Sequence, residues 1–256
     1  MLPLKEILLQ TGRLLAQHPV LMLPPLAWVI PGTLLLRPGE PTAQGLVVVV
    51  AIGLLQLALT TGLIAMVRAA ALGEAVGWDA FLIGIGRHFI TILTGTVIFL
   101  GLLLLTLLPL LILLELYSGP LDLKLILAKG TIPVEQWATA QRWLVGLGCW
   151  AMLWSTIAFF LLVWKQAVIV ATLSWAKAWR ASLAFVSAYW FRLSILLTLK
   201  GLLLVFGMLL IAGGIVLLAE LGALTTLIID LYFTIAFTVA FIGPPPPKGE
   251  TVDAAA

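Results

Sequence analysis

Apolar residues in this chain come in long runs rather than in short alternating blocks, and each run is bounded by a few polar or basic positions. A hydrocarbon core about 30 Å thick needs about 20 apolar helical residues, so run length is the first guide to structure. Six runs approach or exceed that length, at 20–36, 45–67, 89–114, 143–164, 193–219 and 221–242. The first is short and carries Pro24, Pro25 and Pro31, which remove backbone donors and predict a kinked or partly unwound helix. The last two total about forty-five apolar residues, too long for one crossing at about 1.5 Å per residue. A tight hairpin is therefore expected, with Glu220 and Gly222 dividing its arms. The predicted fold is all-α, a polytopic transmembrane bundle of six spans. Residues 1–243 form a single integral membrane domain, and the proline-rich tail, 244–256, leaves the membrane as an extended segment.

Between the fourth and fifth runs the pattern changes. The stretch "SWAKAWRASLAFVSAYWFRLS", residues 174–194, mixes aromatic and basic residues. At about 100° per residue, Trp175, Trp179, Ser182, Val186, Tyr189 and Trp190 share one helical face while Lys177, Arg180 and Ala184 lie opposite. Such a helix is expected along the cytoplasmic membrane surface, its rings at headgroup level and its cations toward lipid phosphates or water. The bland alternative is an aromatic belt that only anchors the chain. A weak internal repeat runs through the same region: aligning Leu72 with Leu173 also pairs Ala75 with Ala176, Trp78 with Trp179, Ala80 with Ala181 and Leu82 with Leu183. Leu8, Gly12 and Arg13 match Leu82, Gly86 and Arg87 as a third copy. The copies would be parallel, each an interfacial helix followed by two spans.

Composition agrees with the runs: 62% of the residues are hydrophobic and 10% are charged, against about 25% charged in an ordinary soluble domain. The net charge of +3 is too small and too scattered for a nucleic-acid surface. Placement of the charge says more. Nine basic residues, Lys5, Arg13, Arg68, Arg87, Lys165, Lys177, Arg180, Arg192 and Lys248, fall on one side of the expected spans, and four, Arg37, Lys124, Lys129 and Arg142, on the other. The positive-inside rule then puts both termini in the cytoplasm. The expected location is a prokaryotic plasma (inner) membrane. The first eighteen residues, interrupted by Lys5, Glu6, Arg13 and His18, do not read as a cleavable signal sequence. The lone cysteine, Cys149, is expected as a free, buried thiol. The long outer loop, 117–141, alternates Leu121, Leu123, Leu125 and Leu127 with other residues and suggests a short strand or a surface helix.

Three stretches carry a family resemblance: "LLAQHPVLMLPPLAW" near the amino terminus, "RAAALGEAVGWDAFLIGIGRHF" after the second run, and "KAWRASLAFV" before the fifth. The chain resembles a group of prokaryotic six-span proteins similar to the membrane domain attached to some glycerophosphodiester phosphodiesterases. The resemblance covers about the first two hundred residues. It implies a fold and a membrane location, and it transfers no catalysis, since the phosphodiesterase domain is absent from this sequence.

Enzyme chemistry finds no foothold in the sequence. No metal-ligand spacing, nucleophile elbow, phosphate-binding glycine loop or paired carboxylates appear, and His18 and His88 stand at span borders without a motif. The expectation is a non-enzyme with no catalytic residue, metal or cofactor. The candidate intramembrane polar centre is Asp230 and Lys200, each near the middle of its run, with Gln56 as a further polar group. The pair reads either as a structural lock between two helices or as a proton or cation site. Candidate lipid-headgroup residues are Arg13, Arg68, Arg87, Trp175, Lys177, Trp179, Arg180, Trp190 and Arg192. The expected partners are membrane lipids, anionic ones included, and either a second copy or another membrane protein, with no nucleic acid. Function is accordingly expected to be transport-like or lipid-associated, the alternative being a non-transporting membrane scaffold.

Overall fold

A computed structural model describes residues 2–27, 43–120, 134–212 and 216–243, and all regular structure among them is helical. The elements are α1 (Leu4–Gln17), a 3-10 turn (Pro19–Met22), α2 (Leu23–Ala27), α3 (Ala43–Leu72), α4 (Trp78–Ser118), a 3-10 turn (Val134–Gln136), α5 (Trp137–Phe160), α6 (Trp164–Val170), α7 (Trp175–Ala212) and α8 (Val216–Ile242). Five stretches of described helix, Val47–Leu72, Trp78–Ser118, Trp137–Val170, Trp175–Leu209 and Leu224–Ile242, are long and apolar enough to cross a bilayer. The protein is a multi-pass membrane protein. The expected first span lies mostly outside the described residues, of which only the turn Pro19–Met22 and α2 belong to it. Most of the outer loop, 121–133, and the tail, 244–256, also lie outside them.

The chain divides into two compact units, residues 1–93 with 163–256, and residues 94–162. In the first unit α8 packs against α7, α3 and α1. Leu231, Ile235 and Val239 of α8 meet Leu63, Met66 and Val67 of α3, together with Leu14, Leu21 and Phe81. A second cluster joins Ala167, Val168 and Ile169 of α6 to Leu57 and Ile64 of α3, Ile92 of α4 and Ala178 of α7. Lipid tails are as apolar as these side chains, so close packing, rather than escape from water, holds such helices together. Small residues make that packing possible. A Cβ on Gly62 would overlap the Phe81 ring, and one on Gly84 would overlap the Cβ of Ala65, which lets α3 and α4 approach closely.

The amino-terminal helix is docked rather than free. Ile7, Thr11 and Leu14 repeat at helical spacing and are buried, while Lys5, Glu6 and Arg13 are exposed. The Tyr232 hydroxyl donates to the Leu8 carbonyl at 2.8 Å, and Arg192 Nη1 donates to the Leu2 carbonyl at 3.3 Å. Thr11 donates to Ile7 O at 2.8 Å, so its buried hydroxyl is satisfied within the helix. Three buried positions recur at the offset of the sequence alignment noted above, whereas Gly84, Ala178 and Val186 are buried where Phe185, Gly77 and Ile85 are half-buried. Phe81, Ile92 and Gly95 are buried on α4, and the residues paired with them, Ser182, Leu193 and Leu196, are buried on α7.

In the second unit the carboxyl-terminal part of α4 meets α5. Thr106 Oγ1 accepts from Trp150 Nε1 at 3.1 Å and from Trp154 Nε1 at 2.9 Å, while its own proton goes to Leu103 O at 2.9 Å. Phe99 stands edge-on to Trp154, their centroids 5.2 Å apart. At the loop end, Thr139 donates to Ser118 O and Trp143 Nε1 to Gly119 O.

Two expectations are corrected. The last two spans are not divided at Glu220 and Gly222: α7 ends at Ala212 and α8 begins at Val216, so both residues stand inside α8. Gly213 and Gly214 follow α7 directly in the sequence, and each glycine is about 1 kcal/mol less favourable than alanine within a helix. Cys149 is exposed, not buried. Its helix buries only Ala140 and Trp154 among the described side chains, so most of α5 faces away from its own unit's core.

Candidate functional site

Two groups of polar side chains stand out in the first unit. The first is the ion pair: Lys200 Nζ lies 2.7 Å from Asp230 Oδ1. Lys200 stands on α7 beyond the irregular Tyr189, and Asp230 is about 18 Å from Ile242 at the helical rise. Neighbouring contacts bring them together. Gly207 of α7 lies against Thr226 and the Gly222 carbonyl of α8, so the two helices run in close contact one to two turns from the pair. The pair is not enclosed, since the side chains retain 25% and 59% of their exposure. Gln56 is exposed on α3 and adds no hydrogen bond to the pair among the described residues.

The second group is cationic. Arg68 follows Ile64 by one turn of α3, and His88 precedes Ile92 by one turn of α4, so both extend from the cluster that α6 packs against. Arg68 and Arg87 are close enough for their charges to act on the His88 imidazole. Lys165 and Gln166 lie in the first turn of α6, just before the buried Ala167. Arg68 Nε and Gln166 Oε1 are buried without a hydrogen-bond partner, and Gln166 is only 6% exposed. Neither Arg68 nor Arg87 forms an ion pair among the described residues. Leaving a buried guanidinium N–H unmade costs about 1–3 kcal/mol or more. An oxyanion relieves that cost, because the guanidinium fork matches two oxygens of a phosphate or carboxylate. The Gln166 amide, when turned, offers an N–H₂ donor in place of its unpaired oxygen.

Beside this group, Trp179 stands edge-on to both Trp164 and Trp175, with centroids 6.4 and 5.4 Å apart. The face containing Trp179 is the inner face of α7. Ser182 and Val186 are fully buried, and Ser182 Oγ accepts from the Val163 N–H at 3.3 Å. Lys177, Arg180 and Ala184 are exposed on the opposite side, as the periodicity requires. Trp190 departs from the expected face and is 58% exposed. The helix changes direction beside it: Tyr189 has non-helical angles, φ −126° and ψ 20°. Ser187 donates to Leu183 O at 2.7 Å just before that point, a back-bond that bends helices.

The other headgroup candidates disperse. Arg13 is exposed on α1, and Arg192, also exposed, reaches the Leu2 carbonyl. Arg68 and Arg87 gather with His88 and lie on elements that pack against the start of α6, which carries Lys165 and Gln166. In the sequence His88 stands as a border residue and Lys165 as a topology marker. The available signal was the dipeptide Lys165–Gln166, polar between the apolar runs 157–164 and 167–173. Set against protein families, characterised proteins and solved structures, the chain finds no match in any of the three.

Proposed function

We propose that this protein is a lipid-associated multi-pass protein of the prokaryotic plasma membrane, holding the phosphate of an anionic lipid between Arg68, Arg87 and the start of α6. The observation that carries this reading is the buried Arg68 Nε, a cationic donor with no acceptor, beside the charge of Arg87 and the His88 imidazole. The tryptophans at 164, 175 and 179 suit the same depth, since indole rings favour the headgroup boundary. The nine-to-four division of basic residues supports cytoplasmic termini and, with them, an inner-leaflet position for this group. That leaflet carries the anionic lipid, which attracts each basic residue near it by about 1 kcal/mol.

Six spans and the parallel repeat belong to the same reading. The recurrence of buried positions between α4 and α7 supports the repeat, and the quoted resemblance to six-span membrane domains supports the count. The role is that of a non-enzyme without cofactor. A transport path centred on Asp230 has less support, because its carboxylate already holds Lys200 at 2.7 Å.

A thermal-shift series tests the proposal. Protein in nanodiscs of phosphatidylcholine is compared with protein in discs containing phosphatidylglycerol, and with the first set plus inorganic phosphate. A bound headgroup raises the melting temperature by mass action, and Arg68→Gln should abolish most of that rise. Equal rises in the wild type and Arg68→Gln, or a response to inorganic phosphate alone, would reject the headgroup reading.

A further inference from the structure

The Lys200–Asp230 pair uses only part of its own bonding capacity. An ammonium has three N–H donors and a carboxylate about four lone-pair sites, whereas the pair makes one contact, from Nζ to Oδ1 at 2.7 Å. Among the described residues no further side chain meets either group. Water would complete both groups at a membrane surface, but the hydrocarbon interior offers neither donor nor acceptor. Leu203 on α7 and Leu224 and Ile228 on α8 are 39%, 43% and 44% exposed on the same two helices, and the hydroxyls one turn from Asp230, on Thr226 and Thr234, already donate to the Gly222 and Asp230 carbonyls. Whatever covers this face must therefore be apolar and must carry one donor and one acceptor at the same depth.

A second copy of the chain meets that description by symmetry. We infer that two copies associate side by side through α7 and α8, with Asp230 of each copy meeting Lys200 of the other. A two-fold axis along the membrane normal preserves depth and orientation, so the four groups close a ring in which charges alternate in sign. Such a contact is self-complementary, as a two-fold interface requires. Each Asp230 then gains a second ammonium for its other oxygen, and each Lys200 a second carboxylate. A lipid phosphate does not reach mid-span, and an unrelated membrane protein would need an acid and a base placed to match. The interface is independent of the lipid site, which lies on α3, α4 and α6.

Charge exchange between copies tests this directly. The full chain, fluorescently labelled at its carboxyl terminus, is reconstituted at low density in phosphatidylcholine vesicles and scored by single-molecule photobleaching. Wild type should bleach mainly in two steps. Lys200→Asp and Asp230→Lys each place like charges at the contact, so each alone should lose the two-step population. Mixed in two colours, these variants should co-localise. If either is lost to misfolding, the isosteric Asp230→Asn carries the test and should lower the two-step fraction. Arg68→Gln should leave that fraction unchanged, which separates this interface from the lipid proposal. One-step bleaching of wild type, two-step bleaching of either charge variant alone, or co-localisation with a different membrane protein in native nanodiscs would overturn the inference.

Discussion

Removing one member of the Lys200–Asp230 pair should cost far more than removing both. Asp230→Asn leaves an ammonium at mid-helix with its 2.7 Å partner gone, and Lys200→Met leaves the carboxylate in the same position. A charge at a membrane helix centre is unfavourable by about 2.5–3.5 kcal/mol on insertion scales. The side chains are 25% and 59% exposed, so local water and snorkelling relieve part of that cost. A single substitution is therefore expected to destabilise by about 2 kcal/mol. The double variant, Lys200→Met with Asp230→Asn, carries no charge there and should lose about 1 kcal/mol or less, as neutral replacements of buried pairs generally do. The coupling energy then comes to about 3 kcal/mol, far above the 0.3–0.5 kcal/mol that marks independent sites. Equilibrium unfolding by steric trapping in bicelles, at dilution that keeps copies apart, measures it. Additivity within about 0.5 kcal/mol would show that each group is solvated on its own and would refute the mid-span placement.

Further outcomes follow from other contacts. In a Cys149→Ala background, cysteines at Arg142 and Lys177 should react with a membrane-impermeant maleimide from opposite sides, and labelling from one side would reject the topology. Gly84→Ala forces a Cβ onto Ala65 and should destabilise by about 1–3 kcal/mol, whereas Gly101→Ala, with nothing within 4 Å, should be neutral or slightly stabilising in thermal unfolding. Thr106→Val strands two indole donors and should cost about 1–3 kcal/mol with a shift in tryptophan emission, while Thr106→Ser should restore both.

Helices and their faces were legible in the sequence because they depend on local spacing. The opposition of Ser182 and Val186 to Lys177 and Arg180 follows from a 100° step and reappears as buried against exposed. What lies against a face does not follow from that step, so the aromatic side of α7 was expected at the lipid and packs partly on protein. The approach of Lys200 and Asp230 was legible for an energetic reason, since two opposite charges at like depth on adjacent helices lower each other's cost. Their joint exposure was not, because exposure depends on how the other helices are arranged. The Arg68 group needed three elements far apart in the chain, α3, α4 and α6, to converge, and no spacing rule encodes that. The start of α8 was not legible because a charged residue such as Glu220 marks a span end in sequence as readily as Gly213 and Gly214 do.

The proposed headgroup site depends most directly on what Arg68 holds. Native mass spectrometry of the full chain, released gently from membranes without added lipid, counts the lipids that stay bound. The wild type should retain a phospholipid with an anionic headgroup, Arg68→Gln should lose it, and Lys177→Gln, at an exposed cation on the far face of α7, should keep it. Retention of the same lipid by Arg68→Gln, or a wild type that emerges with none, would contradict the proposed headgroup site.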